Sequence, residues 1–464
     1  MVEAWVESEL ATLDLGDKRR NRRCMATVQA FWNTPDASIP EASRSPAELQ
    51  GIYGLLSAET TDVEAIRRAH ADAVVKRVQE GKEVLILHDS SELAFNTLRA
   101  TEGLGPLSGP YSRGLLMHSA MAVDPAGVPQ GLLHQEIWAR DEREVGKRHT
   151  RRQRPIEEKE SERWLKTVRV CEERLPASMR AWIVGDSESD IYEYMAVPRR
   201  EGIDLLIRAT HNRRVDGSEA ARYLWEAAEA AEEVGQIEVQ LKRTREREAR
   251  QAKLSLRLCE SLEIVRPRHL KKQCAAASVT VSVVLVREIG TVPEGEEPVE
   301  WLLVSTRPLR GFEGAVACVQ AYAQRWKVER YHYTLKSGCQ VEKLQLERAD
   351  RIERAVALYS IVAWRQLHIT YLARTDPDLP CTVALDADEW KVLHRMANPA
   401  RKLPRKPMSL KEAVRQIARL GGFLGRKADG EPGVKVIWRG LRRLADFVLA
   451  FRTLAPRSRL VTNG

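Results

Sequence analysis

Two short apolar segments, each followed by an aspartate, constrain the fold of this chain most strongly. Residues 84–88, Val-Leu-Ile-Leu-His, form a continuous apolar run that predicts a buried central strand ending on Asp89. Residues 181–184 predict a second such strand, and Asp186 follows it after one glycine. Functional groups are displayed at strand ends in open α/β sheets, so strands in register would bring these two carboxylates together.

Two adjacent carboxylates repel each other and need a compensating cation. Their hard oxygen ligands suit Mg²⁺, with Mn²⁺ as a substitute. A single aspartate after a strand is more often a turn former or a helix cap. The interpretation therefore depends on a third acidic group in a basic setting.

Glu329 is the candidate for that third group. It lies in YAQRWKVERYHYTLKSG, where Tyr322, Arg325, Glu329 and Lys336 fall within a ~60° arc of one face if the helix is continuous over 322–336. Such a stripe suits phosphate chemistry. The alternative is an exposed pair of Arg325 with Glu329, which contributes only a few tenths of a kcal/mol.

Composition restricts the class of protein. The chain has 464 residues, which predicts two or three domains, and a net charge of +9 favours a polyanionic partner. A well-solvated basic surface is the alternative. Seven cysteines with no C-x-x-C spacing disfavour a zinc site or a disulfide framework and favour a reducing cytosol. Without a signal-peptide core or a long apolar run, we expect a soluble intracellular protein with no membrane association.

The remaining pattern divides the chain into regions. The pattern of residues 1–70 predicts mostly helices, and it indicates Asp17 as the N-cap of a helix that begins KRRNRR. These arginines could contact phosphates or could form a solvated charge run.

Residues 235–308 show β-alternation with charged connections, which predicts a β-rich insertion. Residues 313–375 are strongly helical. Beyond the linker at 399–408, a Ser409…Glu412 capping box and a final amphipathic helix are expected.

The combined motifs resemble the IS-four family of DDE insertion-sequence transposases, in its Tn-five-type branch. Tyr322-x2-Arg325-x3-Glu329-x6-Lys336 matches the YREK signature of that family. HDSSELAFNT and GDSESDIYEYM resemble its two aspartate segments. LGDKRRNRR, SRGLLMHS, GLLHQEIW, EWLLVST and IARLGGFL also resemble it, so the similarity covers nearly the whole chain.

The resemblance implies an α/β fold with three regions. A helical N-terminal DNA-binding domain (1–70) precedes an RNase H-like catalytic domain (71–375) with a β-rich insertion at about 212–308. A helical C-terminal dimerisation domain (376–464) follows. Carried over by position, the Mg²⁺-binding catalytic triad is Asp89, Asp186 and Glu329. The implied DNA contacts are Tyr322, Arg325, Lys336, Arg208, Trp301, Arg19, Arg20, Arg22, Arg23 and Arg44.

Some positions depart from the family pattern or carry a competing interpretation. Tyr333 stands where the Tn-five-type enzyme has a lysine, and Ser187 stands where it has an arginine, which puts details of end binding in doubt. Trp301 matches the tryptophan on which a flipped base stacks, although its position alone favours a core strand residue. His88, His118 and His134 are expected to be hydrogen-bonded core histidines rather than metal ligands.

The expected function is cut-and-paste transposition. The resemblance implies nicking, hairpin formation, hairpin opening and strand transfer into target DNA by one two-metal site. The partners would be double-stranded DNA, as terminal repeats and target, and a second copy of the chain in a homodimer. The location would be the cytoplasm, associated with the nucleoid. The alternatives are a catalytically inactive DNA-binding relative or inhibitor, and a metal-dependent nuclease without strand transfer.

Overall fold

A computed structural model describes residues 2–144, 154–216, 221–241, 248–271, 273–426 and 429–454. Parts of the predicted catalytic domain, including its insertion, and of the predicted C-terminal domain lie outside these residues. The helices are α1 Ala4–Glu9, α2 Lys18–Asn33, α3 Ile39–Ala42, α4 Pro46–Ser57, α5 Val63–Val78, α6 Glu162–Arg174, α7 Tyr192–Met195, α8 Leu224–Ala230, α9 Gly311–Ala323, α10 Trp326–Tyr333, α11 Ala349–Thr375, α12 Ala387–Ala397, α13 Leu410–Leu420 and α14 Val434–Leu454.

One mixed β-sheet forms the centre of the described chain. Its strands are β1 Glu83–Ala94, β2 Gly105–Pro106, β3 Arg113–Val123, β4 Pro129–Trp138, β5 Arg180–Gly185, β6 Ile203–Arg208, β7 Val215–Asp216, β8 Glu233–Leu241, β9 Arg250–Val265, β10 Ser278–Ile289 and β11 Glu300–Ser305. The order is β2-β3-β1-β5-β6-β11-β10-β9-β7, while β4 also pairs with β3 and β8 with β9. Strands β1, β5 and β6 are parallel, and the other pairings are antiparallel.

The apolar runs of β1 and β5 are explained by burial on both faces of the sheet. Ile86 and Ile183 face one core, which contains Trp164 of α6. Leu87 and Val184 face a second core, built with the N-terminal and C-terminal helices. Side chains alternate between faces along a strand, so a strand covered by helices on both sides is apolar at every position.

The two ends of the chain pack against each other as well as against the sheet. The ring of Phe31 in α2 stacks on that of Tyr359 in α11, with centroids 4.0 Å apart. Arg442 in α14 pairs with Asp36 at 2.9 Å. The N-terminal and C-terminal helices therefore share one hydrophobic core with one face of the sheet.

The prediction that β1 ends on Asp89 is wrong. The strand continues to Ala94 because β3 pairs with it along its whole length, including Asp89 opposite Ser119. Only the parallel pairing with β5 stops earlier, at Leu87 opposite Val184. Asp89 thus remains in extended backbone just beyond the point where β5 leaves β1.

The condition for one stripe of four residues, a continuous helix over 322–336, is not met. Helix α9 ends at Ala323, α10 begins at Trp326, and residues Thr334–Gly338 form a π-helical turn. Gln324 and Arg325 keep right-handed helical backbone angles, but the hydrogen bonds there tighten to an i to i+3 pattern, as from Arg325 N to Tyr322 O at 2.9 Å. The change in winding shifts Lys336 relative to Tyr322.

Other local predictions have mixed outcomes. The Asp17 side chain accepts a hydrogen bond from Arg19 N at 2.7 Å and caps α2 as expected. Ser409 caps α13 by accepting from Glu412 N at 3.2 Å. Helix α12, which carries a full capping box of Asp386 and Glu389, was not predicted.

Candidate active site

Strand register places the two predicted aspartates side by side. Leu87 pairs with Val184 across the parallel strands, so two residues further on Asp89 and Asp186 occupy equivalent positions. Asp89 lies on the face that carries Leu87, because successive side chains alternate, and Asp186 is close enough to raise the pKa of Asp89. Residue Asp186 leaves the strand as an N-cap, and its Oδ1 accepts from Glu188 N at 2.9 Å.

Helix α10 lies against the same face and brings the third carboxylate. A guanidinium nitrogen of Arg325 donates to Glu329, and another lies 3.9 Å from Asp89 Oδ2. The Arg325 guanidinium thus bridges the acidic groups of strand and helix. In the described residues no three Asp, Glu, His or Cys side chains are close enough together to form a metal-ligand set as they stand.

The electrostatics of Asp89 reflect a crowded acidic site. Burial raises its pKa, Arg325 lowers it, and Asp186 and Glu329 raise it again, so that the pKa reaches about 7. The single guanidinium therefore does not compensate both burial and the two neighbouring carboxylates. Such an uncompensated carboxylate is typical of functional sites.

Four of the residues predicted to contact DNA are grouped next to the carboxylates, namely Trp301, Tyr322, Arg325 and Arg208. The half-buried ring of Trp301 lies edge-on to that of Tyr322, with centroids 5.2 Å apart. Burial raises the pKa of Tyr322, and Arg325 and Arg208 lower it in part. Trp301 is therefore at the border of the site rather than in a closed core.

Lys336 lies apart from Tyr322 and Arg325. Its Nζ donates to Glu92 O at 2.7 Å and lies 3.2 Å from Glu342 Oε1. Glu342 in turn accepts from Ala94 N at 2.9 Å. Lys336 thus marks a second end of the site, along β1 beyond Asp89.

The N-terminal arginines divide into exposed and engaged side chains. Arg19, Arg22 and Arg44 are exposed. Arg20 donates to Leu15 O at 2.6 Å. Arg23 packs closely over Gly51 of α4, where a Cβ would lie 2.4 Å from the guanidinium carbon. The exposed three are free of these structural roles, whereas Arg20 and Arg23 also hold the N-terminal helices together.

The histidine prediction is correct for burial, whereas for hydrogen bonding it is correct for His118 and wrong for His88 and His134. His88 is fully buried on the face opposite Asp89, and burial lowers its pKa to about 3. Neither ring nitrogen of His88 or His134 has a hydrogen-bond partner among the described residues. His118 Nδ1 does lie 2.9 Å from Ser90 Oγ.

Arg163 and His332 are two residues near the site that the sequence interpretation missed. Arg163 Nε donates to Ser90 Oγ at 3.0 Å and its Nη2 donates to Glu188 at 2.9 Å, which links the two aspartate-bearing segments. His332 Nδ1 lies 3.6 Å from Asp89 Oδ2. Arg163 is 73 residues from Ser90 along the chain, so no local spacing could have indicated this link.

Comparisons with known protein families match the two ends of the chain. Residues 2–61 match the family model for transposase DNA-binding. Residues 361–459 match the model for the transposase Tn5 dimerisation domain. The matched segments flank the sheet that carries the carboxylates and do not include it. Together they support a Tn5-type transposase family, with DNA binding and homodimer formation as the properties of the matched domains.

The helices of the described residues were compared with the length and apolarity that a membrane span requires. Across the described ranges, no helix is both long enough and apolar enough to cross a bilayer.

Proposed function

We propose that this chain is an IS-four-type DDE transposase that cuts transposon ends and joins them to target DNA, with Asp89, Asp186 and Glu329 as its catalytic groups. The observation that carries the proposal is the grouping of the three carboxylates. Asp89 and Asp186 each follow the last paired residues of β1 and β5, Leu87 and Val184, by two positions, and Arg325 links Asp89 to Glu329 on α10. The family matches at both ends support the same class of protein.

The sheet topology supports an RNase H-like catalytic core. Strands β4, β3 and β1 form an antiparallel meander, and β5 and β6 continue the sheet parallel to β1. Strands β8 to β10 then add the β-rich insertion before α9. This arrangement brings acidic residues of β1, β5 and a later helix to one sheet face.

The donor set fits a hard divalent cation such as Mg²⁺ or Mn²⁺. Three carboxylates supply oxygen ligands, and the raised pKa of Asp89 shows that Arg325 alone does not offset the cost of ionising it beside Asp186 and Glu329. Asp89, Asp186 and Glu329 would hold the metal. When bound, it would supply Lewis-acid activation of a hydroxyl nucleophile and stabilisation of the leaving oxygen.

The surrounding residues would position the DNA. Arg325 would exchange its carboxylate partners for phosphate oxygens, to which a guanidinium donates in a bidentate manner. Lys336 would offer a point charge to a phosphate further along β1. Trp301, next to Tyr322, would stack an unpaired base and so relieve strain at a hairpin end. Arg208 would contact the same DNA segment.

The ends of the chain would bind the terminal repeat and a second copy. The exposed Arg19, Arg22 and Arg44 offer phosphate contacts in the domain that matches DNA-binding proteins. Apolar side chains of α14 are exposed near its end, at Leu449, Phe451 and Leu454. Covering them would favour dimerisation through the matched C-terminal domain.

A cleavage and strand-transfer assay tests the proposal. The substrate is a linear duplex that carries the inverted repeats flanking the gene, with Mg²⁺ present. We expect wild type to release the ends and join them to a plasmid target, and Glu329→Ala to bind the ends without cutting them. Glu313→Ala is the matched control, because Glu313 is exposed in the preceding helix. Unchanged cleavage by Glu329→Ala would contradict the assignment of the triad.

A further inference from the structure

The loop between β2 and β3 presents one aromatic side chain entirely to solvent. Tyr111 is fully exposed, more so than the other exposed large hydrophobic side chains of the described chain. Single exposed hydrophobic residues are common on proteins, so exposure alone indicates nothing. The backbone beneath this tyrosine is unusual, however.

Tyr111 has a left-handed backbone with φ of 62°. Within the described residues, Gln340 is the other non-glycine residue with a positive φ. Ser112 N donates to Gly109 O at 3.0 Å, so residues 109–112 form a β-turn with Pro110 second and Tyr111 third. A turn with positive φ at its third position favours glycine, so the tyrosine is retained at a conformational cost.

The turn is fixed to β1 by hydrogen bonds on both of its sides. Glu92 Oε1 accepts from Ser108 N at 2.9 Å and from Ser108 Oγ at 2.6 Å. Asn96 Oδ1 accepts from Ser112 Oγ at 3.1 Å and from Arg113 N at 3.0 Å. The aromatic ring is thus held out by an anchored turn rather than by a loose loop.

The anchor connects the turn to the Lys336 end of the candidate active site. Lys336 donates to the carbonyl of Glu92, the residue whose side chain holds the turn. Glu92 is three residues beyond Asp89, about 10 Å along a strand. That length corresponds to ~3 base pairs of duplex DNA. Gln340 lies at the same end, two residues before Glu342, which pairs with Lys336.

We propose that Tyr111 is a DNA-stacking residue, which packs its ring on a base or deoxyribose of the DNA that passes Lys336. The inference rests on the proposed function, because it takes Asp89 as the cutting site. Stacking on an aromatic tolerates any base sequence, as contacts to flanking or target DNA require. Arg113, the first residue of β3 directly after the turn, is exposed and fits a phosphate beside a stacked base.

A second copy of the chain is a less suitable partner for this loop than DNA is. Protein interfaces are built around contiguous buried patches, whereas the neighbours of Tyr111 in the turn are Ser108, Gly109, Pro110 and Ser112. One aromatic among polar and basic residues is instead typical of nucleic-acid contacts.

Tyr111→Gly separates the structural role of this residue from the proposed binding role. Glycine adopts a φ of 62° freely, so the variant should keep or raise the Tm. The loss of a stacking ring should weaken binding of a fluorescently labelled end-plus-flank duplex by about 10-fold, within the 1–3 kcal/mol measured for one stacked base. Tyr111→Trp should bind as wild type does. Tyr223→Gly, at another exposed tyrosine in the insertion, is the matched control and should leave DNA affinity unchanged.

Placing 2-aminopurine at successive positions of the duplex locates the contact. We expect its fluorescence to be quenched by wild type at a position within a few base pairs of the cut, and not by Tyr111→Gly. Unchanged DNA affinity in Tyr111→Gly would overturn the inference, as would a change of oligomeric state without a change in DNA affinity. These binding measurements do not depend on cleavage, so failure of the triad assignment would be seen separately with Glu329→Ala.

Discussion

Two buried carboxylates in different regions of this molecule have opposite electrostatic environments. Glu9, in the N-terminal helices, contacts His70 Nδ1 at 2.6 Å and Arg77 at 2.7 Å. Burial raises its pKa, but His70 and Arg77 outweigh burial and lower the pKa to about 2. Asp89, in the sheet, lies 3.9 Å from Arg325 and beside two further carboxylates, and its pKa is raised to about 7.

The difference fits a structural role for Glu9 and the proposed catalytic role of Asp89. Arg77 donates to both oxygens of Glu9 and His70 contacts one of them, so the charge of Glu9 stabilises the fold of the N-terminal region. Burial and two neighbouring carboxylates oppose the ionisation of Asp89, and a bound cation would offset that cost. A buried acid whose surroundings oppose its ionisation therefore indicates a binding or catalytic role more strongly than burial itself does.

The largest expected effect is on catalysis. Asp89→Asn should lower DNA cleavage in Mg²⁺ by at least about 10³-fold, because an amide is a poor replacement for a metal-binding carboxylate. Rates of end release measured on folded, DNA-bound protein check this. Glu9→Gln, compared at a temperature where it remains folded, should cut at nearly the wild-type rate. Equal losses of cleavage rate in both variants would contradict the assignment of different roles to Glu9 and Asp89.

Glu9→Gln should show the next largest effect, on stability. The depressed pKa corresponds to roughly 3 kcal/mol of unfolding free energy at neutral pH. Since the folded pKa lies below the unfolded value, this contribution is present above about pH 4.5 and is lost as the pH falls towards 2. Chemical denaturation at pH 7 and pH 3 measures it. A variant as stable as wild type at pH 7 would show that the ion pairs contribute nothing.

Asp89→Asn should change stability in the opposite direction. A raised folded pKa means that ionising Asp89 opposes folding, so the penalty is absent below about pH 3.8, grows as the pH rises, and is complete above about pH 7. Without metal, the variant should be more stable than wild type at pH 8 and equal to it at pH 3.5. Melting curves in a chelator test the sign, and lower stability of the variant at pH 8 would contradict it.

The smallest predicted effect concerns Arg163, which joins the two aspartate-bearing segments. Arg163→Ala should leave end binding unchanged and lower cleavage about 10-fold, because second-layer contacts of metal sites typically have effects of this size. Arg163→Lys should restore part of the activity, since lysine can donate to one of the two partners. Arg169→Ala, at an exposed arginine of the same helix, is the control. If Arg163→Lys lost as much cleavage activity as Arg163→Ala, the positive charge of Arg163 would not be what supports cleavage.

Local sequence determined much of this protein. The apolar runs at 84–88 and 181–184 indicated both central strands, and the N-cap Asp17 correctly marked the start of α2. These features depend on hydrophobic periodicity and on hydrogen bonds between residues close in the chain, which a sequence displays directly. The spaced signature around Glu329 likewise named the residues that contact one another across one helical turn, Arg325 and Glu329.

Tertiary pairing decided the features that local patterns could not show. Strand β1 continues past Asp89 because β3, a distant segment, supplies its hydrogen bonds. Helical winding changes at Gln324 and again at Thr334, so Lys336 joins Glu92 instead of the stripe that spacing predicted. The bridge from Ser90 through Arg163 to Glu188 and the exposed turn at Tyr111 arise from contacts between segments far apart in sequence. Identities of residues fix which groups are available, but their charges and strain depend on which distant neighbours the fold places beside them.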